Sequence, residues 1–351
     1  MSNRKIVAVQ LSPQASPRNT EDRWSYEMEG LRNIADILEI QANTPAEFGA
    51  GAADADAIIT SWGVRIDREV ISHLKHCAVI GVASIGVDMV DVDAATDAGI
   101  VVTNVPDVFI EEVADHAMML LLSAVRRVKM VNAMAADGRW FEGRPLLSGV
   151  PRLMGRTLGL LAFGNVARCT ARRAQAFGLH VIAHDPYVSE LTMSEMGVEP
   201  VGFQELLERS DYLSVHAPLN AETRHIVNAE ALARMRPTAV IVNTARGGLI
   251  DESALIPALQ EGRIAAAGLD VLEKEAPDLD NPLLKMENVI VTPHVASATT
   301  RMRPETRRRA GREVALVLQG KWPRSCVNPT VLPRVPLQRW QPYPANRGPN
   351  R

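Results

Sequence analysis

The sequence predicts an α/β protein of two domains built on doubly wound parallel sheets, and three observations carry that prediction. Short β-rich runs recur along the chain with polar helical stretches between them. The 351 residues exceed what one hydrophobic core usually serves. A glycine turn between an apolar strand and a helix opens the second series of runs, as a doubly wound dinucleotide fold requires.

The first series comprises Ile6 to Val9, Ile37 to Ile40, Ala57 to Thr60, Ala78 to Val82 and Ile100 to Thr103. From Ile110 to Val131 the pattern becomes one long helix, with Glu111 and Glu112 suited to its N-terminus and Arg126, Arg127 and Lys129 to its C-terminus. Its middle, Ala117 to Val125, is almost wholly apolar, so protein covers more than one side: either its own sheet or a second subunit of a homodimer. The second series is Thr157 to Ala162, Val181 to His184, Tyr212 to His216, Ala239 to Asn243, Ala266 to Asp270 and Val289 to Thr292. Residues 301 to 320 read as an amphipathic basic helix, and 329–351, rich in Pro, Arg and Asn without periodicity, as a disordered tail.

An apolar fraction of 46%, a charged fraction of 23% and a net charge of -3 are those of a soluble globular protein and offer no electrostatic reason to expect nucleic acid. Cys77, Cys169 and Cys326 are far apart, lack metal-ligand spacing and form an odd set, so reduced thiols and no metal are expected. The start of the chain lacks a secretory pattern and no run of about 18 apolar residues occurs, which predicts a cytoplasmic protein without a membrane span.

In the glycine turn, Gly164 holds the central position, where a missing Cβ lets a pyrophosphate approach the backbone, and Asn165 and Val166 open the helix whose amides would bind it. Ala162 stands where the first glycine is usual, and Ala167 is an accepted variant of the third. Alone, such a turn also fits a plain strand-turn-helix. Asp185, at the end of the next strand, lies near the separation of about 20 residues expected for the acid that binds a ribose diol, and its charge favours NAD over NADP.

Five segments resemble the D-isomer-specific 2-hydroxyacid dehydrogenases over roughly residues 30 to 328. They are Ile85-Gly86-Val87-Asp88 with Asn104-Val105-Pro106; Glu112-Val113-Ala114-Asp115-His116; the glycine turn with Asp185-Pro186; Asn243-Thr244-Ala245-Arg246-Gly247; and Asp270-Val271 to Glu275 with Thr292-Pro293-His294. The similarity is to the branch of phosphoglycerate dehydrogenases, hydroxypyruvate reductases and C-terminal-binding-protein corepressors. The resemblance implies two Rossmann-like or flavodoxin-like domains, the cofactor domain inserted into the substrate domain. Residues 1–102 plus 297–328 would bind substrate, 103–296 would bind NAD, and a small 2-keto or 2-hydroxy acid would sit in the cleft between them.

Arg246 follows a strand, where open α/β sheets bind ligands, and its guanidinium can grip a carboxylate bidentately. His294 follows another strand and would exchange a proton with the substrate oxygen. Glu275 occupies the family's place for the partner of that histidine, with Glu273 the neighbouring competitor; a carboxylate there favours the charged imidazolium. A glutamate also weakens a reading as formate dehydrogenase, where the family carries glutamine. Ser84, Ile85 and Gly86 resemble the loop that binds the substrate carboxylate, Ser84 replacing a more usual glycine. Trp62 would shape the side-chain pocket and Asn104 would face the cleft. His216, Ala217, Pro218, Thr223, Thr244, Ala245 and Asp270 resemble cofactor-contacting positions, Asp270 being matched to the carboxamide.

The expected function is an NAD-dependent D-2-hydroxyacid dehydrogenase. An NAD(H)-sensing dimeric corepressor-like protein with little catalysis is the alternative, because Asn165 stands where the family commonly has Arg. A third reading, a protein for another nucleotide, follows if Ala162 crowds the pyrophosphate.

Overall fold

The computed structural model describes residues 4–11, 23–61 and 63–340. The chain divides into two compact units, Met1–Val108 with Thr299–Arg351, and Phe109–Ala298. The second is thus an internal stretch of chain, and the first is built from both ends.

The first unit holds a parallel sheet of β1 (Lys5–Leu11), β2 (Ala35–Gln41), β3 (Ala57–Thr60), β4 (Val79–Val82) and β5 (Val101–Thr103), in the order β2-β1-β3-β4-β5. That is the flavodoxin-like order. Every residue of β3, β4 and β5 is buried, as strands covered on both faces must be. One face packs on Phe48, Ile66, Val70, Ile71 and Leu74. The other packs on Trp24, Leu31, Ala310 and Val314, side chains of the helices Ser25–Leu31 and Met302–Leu318 and their flanks. Those two helices approach so closely that a Cβ on Gly311 would lie 2.5 Å from the Glu27 carbonyl oxygen. Glu27 is buried there and forms a 2.7 Å ion pair with Arg307.

The second unit holds seven parallel strands: β6 (Thr157–Leu161), β7 (His180–His184), β8 (Glu199–Pro200), β9 (Tyr212–Val215), β10 (Val240–Asn243), β11 (Ala266–Leu269) and β12 (Val289–Val291). Their order is β12-β11-β10-β9-β6-β7-β8. From β6 the chain winds one way through β7 and β8, then returns past β6 and winds the other way from β9, so the switch point lies between β6 and β9. The register aligns the strand ends: His184, Leu161, Val215, Asn243, Leu269 and Val291 are successive partners in one row across the sheet. Chain leaving these six strands therefore emerges at one level of one edge.

The expected α/β architecture with doubly wound parallel sheets is the one observed. β8 escapes sequence pattern because two residues cannot show alternation. The single helix expected from Ile110 to Val131 is instead two, Ile110–Val125 and Val128–Ala136, separated by Arg127 in the left-handed conformation at φ 51°. The basic run that suits a helix C-terminus marks the break, and Lys129 beyond it donates to the carbonyls of Met286 and Val289 beside β12. Residues 329–340, expected to lack order, are placed against the first unit. Val331 is buried, and Arg334 donates from its backbone to Gly99 O and from its side chain to Leu74 O. Long-range hydrogen bonds of this kind leave no periodic trace in sequence; residues 341–351 lie outside those described.

Candidate active site

The row of strand ends in the second unit positions most of the candidates. Asp185 and His216 each directly follow a paired strand-end residue, as does Asp270, while Arg246 and His294 stand a few residues beyond theirs. Strands lie about 4.8 Å apart, so loops leaving β10 and β12, two strands apart, are separated by about 10 Å at their roots. That spacing suits a small molecule held from both sides.

At the switch point, Ala162 turns the chain with φ 74°, the conformation that the first glycine of such a turn adopts at no steric cost. Gly164 differs: its φ of -73° is open to any residue, and a Cβ there would meet no protein atom within 4 Å. Nothing in the chain itself demands glycine at 164, whereas a group lying against the backbone would. The helix Asn165–Ala176 begins there, with Gly164 and Asn165 exposed and no acid in its first turn to oppose an anion. The Asp185 carboxylate accepts from the amides of Phe163 and Tyr187, both at 2.8 Å, and so ties the β7 end to the turn.

Across the switch point, burial pushes the His216 imidazole down to about 4, leaving it neutral at pH 7, and its Nε2 lies 2.9 Å from Ser214 Oγ. Pro218 is exposed and Ala217 buried. Thr223 closes its own loop, donating to Pro218 O at 2.6 Å and accepting from the Asn220 amide at 2.9 Å. On the next strand end, Thr244 Oγ1 is buried and has no hydrogen-bond partner among the described residues. An orphaned hydroxyl on a loop of this edge, together with the open space at Gly164, fits the polar body of a dinucleotide.

Arg246 is held by the turn that β10 enters. Asn243 is buried, and its side chain donates to Arg246 O at 2.8 Å and accepts from the Ala245 amide at 2.9 Å. The Arg246 guanidinium donates to Ala245 O. Beyond it, Gly247 has no room for a side chain: a Cβ would lie 2.0 Å from the Leu272 carbonyl carbon. The Arg246 turn and the loop leading to Glu275 are thereby pressed backbone to backbone.

His294 Nδ1 lies 2.8 Å from Glu275 Oε1, with the imidazole 20% and the carboxylate 50% exposed. An ionised carboxylate only accepts, so Nδ1 carries a proton, and exchange with a substrate falls to Nε2. Glu273 is turned elsewhere, 2.8 Å from His225 Nε2 and accepting from the Glu252 amide. The competing glutamate is therefore not the partner of His294.

Asp270 has a fully buried side chain that accepts from Thr292 Oγ1 at 2.5 Å and from the amides of Val295 and Ala296 at 3.0 and 2.8 Å. Burial by itself would raise this carboxyl, yet the bonds from His116, Thr292 and those amides hold it down to about 2. Its main-chain oxygen accepts from the His294 amide at 2.8 Å. His116, on the helix Ile110–Val125, reaches Thr292 Oγ1 at 2.9 Å. The sequence assigns no role to His116, although a histidine leading directly into an apolar run on a helix is a visible signal.

In the first unit, the residues from Ser84 to Gly86 form a turn beyond β4, braced by Ser84 Oγ donating to Gly86 O. Asn104, beyond β5, donates to Ile85 O at 2.7 Å and accepts from Ser325 Oγ, so its amide supports that turn. Trp62 lies outside the described residues.

Fold and edge together define a dinucleotide-binding α/β protein. The family model for the D-isomer specific 2-hydroxyacid dehydrogenase, NAD binding domain, matches residues 118–296. A D-3-phosphoglycerate dehydrogenase of Methanocaldococcus jannaschii is 39% identical over 89% of this chain and 59% of its own length, and a glyoxylate reductase of Korarchaeum cryptofilum is 39% identical over 80% of this chain and 84% of its own. Among solved structures, an NADPH-dependent glyoxylate/hydroxypyruvate reductase from Sinorhizobium meliloti, in complex with NADP and malonate, matches with a TM-score of 0.81 and 32% identity, covering 94% of this chain and 99% of that one. The chain belongs to the D-isomer specific 2-hydroxyacid dehydrogenase family. It spans about half the length of the phosphoglycerate dehydrogenases it matches, 59% and 52% of the first two.

Proposed function

We propose that the protein is an NAD-dependent D-2-hydroxyacid dehydrogenase that interconverts a small 2-keto acid and its 2-hydroxy acid. The observation that carries this reading is the 2.8 Å contact of His294 with Glu275 on the same sheet edge as Arg246 and the turn at Gly164. Bound NADH supplies the hydride. Arg246 grips the substrate carboxylate through paired N–H donors and polarises the adjacent keto oxygen. His294, its Nδ1 fixed by Glu275, delivers a proton from Nε2 to that oxygen in reduction and takes one from the hydroxyl in oxidation. The second unit is the NAD-binding domain and the first the substrate-binding domain, where the turn Ser84 to Gly86 offers backbone amides to a carboxylate.

Asp185 supports NAD over NADP, since an anion beside the ribose opposes a 2′-phosphate. The three unpaired cysteines fit a reducing, cytoplasmic setting. A homodimer is supported by Trp140 and Phe141, which are 74% and 90% exposed just past the helix Val128–Ala136. A corepressor-like NAD(H)-sensing protein with little catalysis is disfavoured, because the arginine, glutamate and histidine are all retained and the curated relatives quoted are named as enzymes.

The test is NADH oxidation with glyoxylate, hydroxypyruvate, pyruvate, phenylpyruvate and 3-phosphohydroxypyruvate, repeated with NADPH. Turnover of at least one acid, faster with NADH, is expected. Failure with all five, while NADH still quenches tryptophan fluorescence, would leave a binding protein.

A further inference from the structure

The backbone of His294 is in the left-handed conformation at φ 51°, which is uncommon for any residue with a Cβ and persists only where its surroundings impose it. On the backbone side these surroundings centre on Asp270. Its main-chain oxygen receives the His294 amide, and its carboxylate receives Thr292 Oγ1 on one side of His294 and the Val295 and Ala296 amides on the other. The proton directions in this cluster are determined. An ionised, buried Asp270 only accepts, so Thr292 donates its hydroxyl proton to Oδ1. Thr292 Oγ1 must then accept from His116, whose Nε2 carries the proton at 2.9 Å. The same Nε2 stands 3.4 Å from Asp270 Oδ1.

We propose that His116 is a positioning residue: from the helix Ile110–Val125 it fixes Thr292 and Asp270, and through them the strained loop that aims the His294 imidazole. This rests on reading His294 as the proton donor. His116 reaches Thr292 and Asp270, so its effect on His294 runs through the geometry of the loop. Removing its N–H leaves Thr292 free to turn away and the fully buried Asp270 carboxylate short of a donor, and an unmet polar group in such a place is expensive.

The experiment uses the full chain with His116→Leu, His116→Gln and Thr292→Val. The first readout needs no substrate: amide hydrogen exchange in the nucleotide-free protein. In His116→Leu and Thr292→Val the amides of His294, Val295 and Ala296 should exchange about tenfold faster, while those of β6 and β9 keep the parent's rates. The second readout is steady-state kinetics with a 2-keto acid that the parent reduces. His116→Leu should lower kcat about tenfold or more with the KM values for acid and NADH within about threefold, because a misaimed proton donor costs turnover and not binding. His116→Gln, which keeps an N–H donor, should recover most of the loss.

Parent-like exchange at residues 294–296 in His116→Leu overturns the proposal. So does a loss of NADH affinity equal to the loss of kcat, since that marks a general packing role. Should His116→Leu fail to fold, Thr292→Val with His116→Gln decides by the same criteria. A parent that reduces none of the acids removes the dehydrogenase reading alone, and the exchange measurement still determines whether His116 holds the loop.

Discussion

Ala162 and His294 both hold left-handed backbone with a Cβ attached, a conformation costing about 1 kcal/mol or more relative to glycine. They differ in what replaces them. Ala162→Gly should raise stability by up to about 1 kcal/mol, measured by urea unfolding, because relief of strain outweighs the greater freedom of the unfolded chain. An unchanged or lower midpoint would mean that the turn is not strained at 162. His294 cannot be relaxed in this way without losing its imidazole. His294→Ala and Arg246→Ala should each lower kcat/KM by on the order of 10² or more, checked with the best acid of the panel. Arg246→Lys should recover little, since an ammonium cannot grip a carboxylate through a planar pair of donors. At this scale the sequence offers candidates by chemical type. What it could not show was which side chains the protein itself uses up: Asp270, Thr223 and Asn104 sit at strand ends and in loops as ligand contacts would, yet each is engaged by donors or acceptors of its own chain.

Between elements, the closest fit is that of the Arg246 turn against the loop before Glu275, where Gly247 meets Leu272 backbone to backbone. Gly247→Ala forces those segments apart. Its expected cost is about 1–3 kcal/mol of stability together with a fall in kcat, whereas Gly164→Ala should cost no stability, since position 164 has open space. Thermal melts of both variants, with NADH titrations, separate the cases: Gly164→Ala should melt like the parent and lose NADH affinity. A normal affinity in that variant would contradict a pyrophosphate at 164. The strand series was legible because each strand is a short apolar run set off by turns, a local property. The break at Arg127 was not, because Arg126, Arg127 and Lys129 suit a helix end and a continuing helix alike, and the carbonyls that hold Lys129 belong to a segment about 160 residues away.

For the whole molecule, acid should act through Asp270. Its folded carboxyl lies at about 2 against an ordinary 3.8, so its stabilisation is complete above the unfolded value and is lost as pH falls from 3.8 towards 2. The difference corresponds to about 2 kcal/mol, and Asp270→Asn should flatten the acid limb of a stability–pH curve. His216 works earlier in the same direction: its depressed imidazole favours the unfolded state as pH drops below about 6.5, down to about 4. Association is the other property of this scale. Analytical ultracentrifugation should show a dimer, and replacing Trp140 and Phe141 together by Asp should yield a monomer; a monomeric parent would refute the dimer.

The sequence by itself determined the α/β class, the positions of the main strands, the glycine turn and the order of Arg246, Glu275 and His294 along the chain. Periodicity, turn residues and spacing are written locally, and each of these features is local. Only the tertiary structure decided that Glu275 and not Glu273 meets His294, that Asp270 is enclosed by Thr292, His116 and two amides, and that residues 329–340 are bound in place. Those outcomes depend on which strand ends lie side by side and which helix covers them, and hydrogen bonds between segments far apart in sequence exist only once the sheets have assembled.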